Sequence, residues 1–369
     1  MTKAPGVWLV GARGSVATTV IAGHAALGRD RSAPTAMVTH GPAFEGAGLP
    51  ALEELVFGGH DTAALPLSDR AAGLAQAGVL PSGLPALVRE DLAKADAEIR
   101  AGSPYAVDRR AGQRLIDRLA GDIHAFRARH RRERVVVVNL ASTEAAPRPG
   151  SRGWPPSSLY AAAAVEAGCP YVNFTPSTGM DLPALAGAAQ ARGLPCAGRD
   201  GKTGQTLLRS VLAPMFVQRA LAVRSWSGTN LLGGGDGATL ASPAAAAAKS
   251  AGKGRVLADV LGADPEGQVH IDDVPALGEW KTSWDHIAFE GFLGTRMTMQ
   301  ATWQGCDSAL AAPLVLDLVR LMARAHEAGL AGPRPELAFY FKDPPPGAPS
   351  ALADQYRLLT DFARRLETT

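Results

Sequence analysis

Apolar residues first gather in a short run, Val7–Val10, that stops at Gly11. A glycine-rich turn follows, and Val16–Leu27 then carries apolar positions at helical spacing. Strand, glycine turn and helix in that order is how a nucleotide-binding α/β unit begins. Ala36–Thr39 reads as the second strand. Residues 41–65 are rich in glycine and proline, with a short helix near Ala51–Val56, and Leu92–Arg100 and Ala111–Arg129 read as helices. Val135–Leu140 is four valines and a leucine interrupted only by Asn139. Such a run suits a parallel strand buried on both faces. Ala161–Ala167, Tyr171–Phe174, Leu182–Ala191 and Pro195–Gly198 then alternate helix, strand, helix, strand. This alternation predicts an α/β fold with a Rossmann-type, doubly wound parallel sheet.

The pattern changes after residue 200. Gln205–Leu221 reads as one helix. Val223–Leu232, Val269–Ile271, His286–Phe292 and Arg296–Trp303 read as strands without clear intervening helices. Strands at such spacing predict a mostly antiparallel sheet and a second unit of α+β type. Ala309–Ala325 and Leu352–Arg365 read as helices, and residues 344–350 as a stiff proline-rich linker. The alanine-rich stretch Pro243–Lys253 holds five consecutive alanines, too few to nucleate a helix alone. It reads as a marginal segment that orders on ligand binding.

Composition narrows the classes. The chain has 369 residues, 46% of them hydrophobic, which suits two domains with ample core. Thirty-seven lysines and arginines against 35 acids leave a formal charge of +2, which gives no reason to expect a nucleic-acid partner or a membrane anchor. Cys169, Cys196 and Cys306 lack CxxC spacing, which excludes a disulfide framework or a cysteine-rich zinc module and fits a reduced cytoplasm. The start of the chain has no signal-peptide core, and no run of 18 apolar residues offers a membrane span. The eight histidines show no HxxxH or HxH spacing, so no metal site is assigned. The basic run 127–134 closes a predicted helix. Its cations complement the helix dipole as solvated charges, an anion site being the sharper alternative.

The first turn, Gly11-Ala-Arg-Gly14-Ser-Val-Ala-Thr-Thr19, carries the clearest chemistry. Gly11 permits a tight turn. Gly14 lets the backbone approach a pyrophosphate, which meets the free N–H groups of Ser15 and Val16. Arg13 and Val16 stand where G-x-G-x-x-G has glycines, so an ordinary βα turn remains the alternative. The acidic residue expected after the second strand is missing, since Thr39-His40-Gly41 stands there. Arg13 suits a 2′-phosphate, but it sits in the loop rather than after that strand, so NAD is preferred over NADP.

Separated blocks then occur in a fixed order. They are the turn above, Val56-Phe-Gly-Gly-His-Asp61, Val138-Asn-Leu-Ala-Ser-Thr-Glu144, Val172-Asn-Phe-Thr-Pro-Ser177 and Ala197-Gly-Arg-Asp-Gly-Lys-Thr-Gly-Gln-Thr206. Further along stand Asn230-Leu-Leu-Gly-Gly-Gly-Asp-Gly237, Gly278-Glu-Trp-Lys-Thr-Ser-Trp-Asp285, Cys306-Asp-Ser-Ala-Leu-Ala-Ala-Pro-Leu-Val-Leu-Asp317 and Phe339-Tyr-Phe-Lys-Asp-Pro344. Together they resemble the myo-inositol-1-phosphate synthase family over the whole chain. The resemblance implies an NAD-binding Rossmann domain from residues 1–199 plus 330–369. It implies a catalytic and tetramerisation domain at 200–329, and hence a homotetramer. Its chemistry is oxidation at C5 of a hexose 6-phosphate, enolisation at C6, intramolecular aldol closure and re-reduction. The product is a cyclitol phosphate.

That chemistry needs a base, positive charge beside developing oxyanions and a phosphate cradle. Lys202, Lys281 and Lys342 are the catalytic candidates, with Asp200 and Asp285 orienting them or forming structural ion pairs. Lys249 and Lys253 are cations for the substrate or ordinary loop charges. Gly233, Gly234, Gly235 and Asp236 suit a phosphate nest or a tight turn. Asn173, Thr175, Ser177 and Asn230 complete the substrate set, and Asp61, Ser142, Thr143 and Asp200 join the turn in holding NAD. Trp280, Trp284 and Trp303 read as core. The chain departs from the family pattern at Leu207 (family lysine), Leu231 (histidine), Gly234-Gly235 (asparagines) and Arg199 (aspartate). Leu207 removes a charge that Arg199 or Arg209 would have to supply. Glucose 6-phosphate giving an inositol phosphate is the family default. Fructose 6-phosphate, closing a five-membered ring, is the alternative. A plain NAD(P) dehydrogenase and a non-catalytic NAD-binding sensor are the rival classes.

Overall fold

A computed structural model describes residues 4–29, 31–103, 109–144, 153–233 and 256–368. Six strands open the chain: β1 (Gly6–Val10), β2 (Val56–Asp61), β3 (Ile99–Ala101), β4 (Val135–Asn139), β5 (Tyr171–Asn173) and β6 (Pro195–Gly198). Four more, β7 (Ala222–Leu232), β8 (Val269–Asp273), β9 (Trp280–Glu290) and β10 (Arg296–Cys306), make a second sheet in the order β10-β9-β7-β8. The short β11 (Gly332–Pro333) returns to the first sheet, whose order is β11-β6-β5-β4-β1-β2-β3, parallel throughout. This is the expected α/β architecture: a doubly wound parallel sheet with a separate mixed sheet.

Strand periodicity explains why β1 and β4 are continuously apolar. Val7, Leu9, Val136 and Val138 point to one face, against helices Ser15–Leu27 and Asp307–Glu327. Trp8, Val10, Val135 and Val137 point to the other, against helices Arg109–Arg129 and Pro156–Glu166. With a helical layer on each face, no strand position is left for water.

Two early expectations are corrected. Ala36–Thr39 is not a strand, because Val38–His40 is a short 3-10 turn. Its backbone N–H groups at Val38 and Thr39 donate to the carboxylate of Asp317, at 2.7 and 3.3 Å, rather than to a neighbouring strand. The place beside β1 belongs to Val56–Asp61, whose Gly58 and Gly59 weaken its strand propensity. Both glycines are required by close packing. A Cβ on Gly59 would lie 2.1 Å from the Leu9 carbonyl oxygen, and one on Gly58 2.9 Å from Trp8 and Phe126 ring carbons. Likewise Leu92–Arg100 divides into helix Arg89–Asp96 and strand β3, and the helix expected near 51–56 is absent; helix Leu67–Gln76 follows β2 instead.

The second sheet is antiparallel except for the β7–β8 pair. Helix Gln205–Gln218 covers one of its faces, burying Ala213 and Phe216 against Trp226 and Ile287. Trp280 and Trp284 are not core residues but are more than a third exposed, and Trp303 is half-buried. Helix Asp307–Glu327 packs on helix Ser15–Leu27 and gives Val315, Leu318 and Met322 to the first core. By packing, residues 307–329 therefore lie with the parallel sheet, although the expected division assigned them to the second domain. Among the described residues no helix is long and apolar enough to cross a membrane.

Gly59→Ala should lower unfolding free energy by about 1–3 kcal/mol, since the backbone oxygen it meets cannot step aside. Gly73→Ala, mid-helix with nothing within 4 Å of the new Cβ, should be neutral or stabilising by up to about 1 kcal/mol. Denaturant titration of both variants checks the contrast.

Candidate active site

Parallel strands end at one edge of a sheet, and ligands bind there. Here the pairing sets His60, Val10, Asn139, Asn173 and Gly198 side by side along that edge. A cavity of about 440 Å³ lies over β1, β2 and β4, lined by Gly11, Gly14, Asp61, Asn139, Thr143 and Glu144 among others. A smaller one, about 110 Å³, is lined by Thr175, Asp200, Thr203, Asp307 and Lys342. They share Leu140, Ala141 and Thr143, so they form one cleft along the edge.

The glycine turn is shaped for close approach. Gly11 has φ +80°, and a Cβ there would sit 2.8 Å from the Ala141 Cα. Gly14 caps helix Ser15–Leu27 with no side-chain hydrogen bond, and no acidic residue stands in the first turn. Free N–H groups and an uncompensated dipole make this helix start fit a pyrophosphate. Asp61 ends β2, the true second strand, so the acidic position that Thr39-His40-Gly41 lacks is filled after all. Its carboxylate accepts hydrogen bonds from the backbone N–H of Arg13 at 2.6 Å and of Ala63 at 2.7 Å. The Arg13 side chain turns away to Asp96, at 3.0 Å, and to the Ala63 carbonyl. The guanidinium suited to a 2′-phosphate is therefore engaged elsewhere, and the residues present fit NAD.

Beside Asp61, His60 is buried between Trp8, whose indole N–H donates to Nδ1 at 2.9 Å, and Asp122, 3.1 Å from Nε2. Nδ1 is thus the acceptor and Nε2 carries the proton. Burial lowers the pKa of this ring, holding it neutral.

Buried asparagines at strand ends must be satisfied. Asn139 Nδ2 donates to Asn173 Oδ1 and to Thr175 Oγ1, both at 3.2 Å. Thr175 Oγ1 donates to Asn173 Oδ1 at 2.8 Å, and Asn173 Nδ2 donates to the Ser177 carbonyl at 2.7 Å. Ser177 Oγ accepts from the Glu144 N–H. Asn173, Thr175 and Ser177 therefore shape the turns after β4 and β5, with most of their capacity used inside the protein. The Glu144 carboxylate accepts from the Thr178 N–H and from both the N–H and the hydroxyl of Ser157. It joins three segments around the larger cavity.

The three lysine candidates differ in their partners. Lys342 Nζ lies 2.9 Å from Asp200 Oδ1 on the wall of the small cavity. Lys281 pairs with Asp307, which also accepts from Thr203 Oγ1 at 2.7 Å. Lys202 is 3% exposed and lines neither cavity of the cleft; its amine donates to Gln355 Oε1 with the Phe339 ring 5.8 Å away. Burial brings its pKa from 10.5 to about 7, with no charged neighbour contributing.

Of the two expectations for Asp285, orienting a lysine or forming a structural ion pair, its contacts fit the second. It is fully buried and accepts from Arg209 at 2.9 Å, Gln205 at 2.9 Å and Trp226 at 2.8 Å, and Gln205 in turn accepts from Asn230. Asp285 and Asn230 thus belong to a polar network in the core of the second unit. Arg199 is engaged by Asp181 and Asp343, at 3.1 and 2.7 Å, on a cavity of about 570 Å³ whose lining includes Lys342, as that of the small cavity does. Neither Arg199 nor Arg209 stands on the small cavity to supply the charge missing at Leu207. Gly233 ends beside Gly278, where a Cβ would meet the Gly278 carbonyl at 2.3 Å. Gly234, Gly235, Asp236, Lys249 and Lys253 lie outside the described residues. Sequence reading missed Asp307, Glu144 and Gln355 as site residues, although Asp307 and Glu144 stand inside the quoted blocks.

Two family models, both described as myo-inositol-1-phosphate synthase, match residues 204–308 and, as an NAD-binding model, residues 5–152. Inositol-3-phosphate synthase 1 of Bacteroides thetaiotaomicron is 31% identical over 92% of this chain and 89% of its own. The chain belongs to the myo-inositol-1-phosphate synthase family. The family's enzymes are intramolecular isomerases, and NAD is the cofactor its model specifies. Two solved structures share the fold at 21% identity. Inositol-3-phosphate synthase of Caenorhabditis elegans has a TM-score of 0.85 and covers 100% of this chain and 86% of its own. A myo-inositol-1-phosphate synthase-related protein of Thermotoga maritima has a TM-score of 0.78 and covers 98% of each.

Two outcomes follow from the buried charges. Lys202 favours the neutral form when folded, so the fold is disfavoured by its charge below pH 7 and regains stability as pH rises from 7 to 10.5. Relative to Lys202→Met, wild-type unfolding free energy should therefore climb by up to about 4–5 kcal/mol over that window; parallel denaturation curves at each pH check it. Arg209→Met leaves Asp285 buried and without its cation, and should cost about 3–5 kcal/mol, with Arg209→Met/Asp285→Leu recovering most of it.

Proposed function

We propose that this chain is an NAD-dependent cyclitol-phosphate synthase acting on a hexose 6-phosphate. The observation that carries the reading is the continuous cleft, with the glycine turn and Asp61 at one end and, at the other, the Lys342–Asp200 pair and Asp307, the partner of Lys281. Gly11, Gly14, Ser15 and Val16 would hold the pyrophosphate, Asp61 the adenosine ribose, and Ser142 and Thr143 the stretch towards the small cavity. NAD, when bound, supplies a hydride acceptor at C5 of the sugar and later returns the hydride. Lys202, near neutral pKa, is the amine able to take the C5 hydroxyl proton at neutral pH. Lys342 and Lys281, paired with Asp200 and Asp307, would stabilise oxyanions at C5 and at the carbonyl under attack. Asp200 and Asp307 hold those ammonium groups in place. The aldol step forms the bond from C6 to the carbonyl carbon, and the proton lost from C6 balances the one gained by the new alkoxide.

The nucleotide unit in this reading comprises residues 1–199 and the C-terminal segment, joined by helix Asp307–Glu327. The second sheet forms the catalytic and tetramerisation unit, consistent with the exposed Trp280 and Trp284. Glucose 6-phosphate, giving an inositol phosphate, is the leading substrate. That neither Arg199 nor Arg209 replaces the cation missing at Leu207 favours one second reading, in which the carbonyl end is remodelled. Fructose 6-phosphate would then close a five-membered ring.

Phosphorus NMR with catalytic NAD and each sugar phosphate in separate tubes tests this. A new phosphate signal without net NADH is expected, from glucose 6-phosphate under the first reading and from fructose 6-phosphate under the second. Stoichiometric NADH would mean a dehydrogenase. Silence in both tubes with NAD bound would overturn synthase activity on these hexoses.

A further inference from the structure

Lys202 and Lys342 sit on different segments, one following β6 and the other preceding the proline-rich stretch 344–350. One side chain joins the two segments. Gln355, on helix Leu352–Glu367, is 3% exposed. Its Oε1 accepts from the Lys202 amine, and its Nε2 donates to the Pro349 carbonyl at 2.7 Å. Lys342 itself is tied back to the lysine loop, its backbone N–H donating to the Asp200 carbonyl at 2.7 Å. The amide thus uses both ends, one on the amine and one on the strap that leads away from Lys342.

What surrounds the amine matters as much. From its own loop, Asp200 holds Lys342, and from the start of helix Asp307–Glu327, Asp307 holds Lys281. From the turn Pro335–Tyr340, the Phe339 ring faces the amine, Glu336 holds Arg365, and the Tyr340 hydroxyl turns to Asp317. From the last helix, Asp354 holds Arg357, and the Tyr356 ring lies against Phe339. Asp200, Asp307, Glu336 and Asp354 are thus each held by another cation, and the amine's own partner is a neutral amide. A carboxylate of the same size at 355 would bind the ammonium more tightly and would repel the Pro349 carbonyl.

We propose that Gln355 is a positioning residue: it aims the Lys202 amine and anchors the 344–350 strap without adding a charge. The proposal rests on the reading of Lys202 as the base, but its first readout does not. The chain has seven lysines, so the side-chain signals of enzyme grown on carbon-13 lysine can be followed one by one, with Lys202→Met identifying the signal in question. The wild-type midpoint is expected near pH 7. Gln355→Glu should raise it by about 1–3 units, as an opposite charge at contact does, and Gln355→Leu should not raise it. The acid limb of kcat/KM should move up with the Glu variant, with activity recovered at higher pH, while the Leu variant loses kcat at every pH. NAD affinity, retained in both, marks a folded protein; if the Glu variant does not fold, the wild-type midpoint and the Leu variant decide. A wild-type midpoint near 10, an unmoved midpoint in Gln355→Glu, or wild-type kcat in Gln355→Leu would each overturn the proposal. If the midpoints behave as expected and neither hexose phosphate reacts, the assigned activity falls and the positioning of Lys202 stands.

Discussion

The register of the parallel sheet is the constraint on which the site depends. Because β2, β1, β4, β5 and β6 pair parallel without a slip, Asp61, Asn139, Asn173 and Gly198 arrive at one edge. A shift of one residue in β4 would turn Asn139 into a core face and put a valine at the cleft. The two asparagines then do what apolar residues cannot. They bind each other and, through Thr175 and Ser177, fix the turns that roof the cavity. Their burial is tolerable because their side chains find partners. The price is paid in flexibility: with its polar atoms engaged by the protein, this row positions ligands more than it contacts them.

Charge is distributed beyond that row by the same logic. A buried cation is costly unless a carboxylate meets it, and Lys342, Lys281 and Arg209 each have one. Lys202 does not. Its amine relies on an amide oxygen and an aromatic face, which stabilise an ammonium less than a carboxylate would, and the result is an amine that ionises near neutrality. The three lysines therefore differ through their neighbours, not through their own chemistry: two meet a carboxylate, and one meets an amide oxygen.

Much of the first sheet was legible because burial on both faces writes an unmistakable run, as in Val135–Asn139. The true second strand was not, because Gly58 and Gly59 answer a packing demand from Leu9, Trp8 and Phe126 that only the folded chain reveals. Ala36–Thr39 looked like a strand for the opposite reason: its apolar residues are real, but a carboxylate 278 residues away, Asp317, captures the backbone N–H of Thr39. The lysines were found from their flanking sequence, and their separate roles were not. Asp200, Asp307 and Gln355 reach them from three parts of the chain, and nothing in local spacing announces which will meet which. Asp285 shows the converse. Its block pointed to the active site, yet folding places its carboxylate against Arg209 inside a core.

The unfilled position is as informative as the filled ones. Leu207 removes a cation, and neither neighbouring arginine restores it. Arg209 is committed to Asp285, and moving it would leave a carboxylate stranded in a dry core. Arg199 is held between Asp181 and Asp343, on a neighbouring cavity that meets the small one at Lys342. Redirecting either guanidinium would break an ion pair before forming a new one, so the loss at 207 is not repaired by small rearrangement among these arginines. In the proposed reading, the helix N–H groups and Asp61 that would hold NAD lie away from residue 207, so a change at the carbonyl end would leave cofactor binding and the redox step intact.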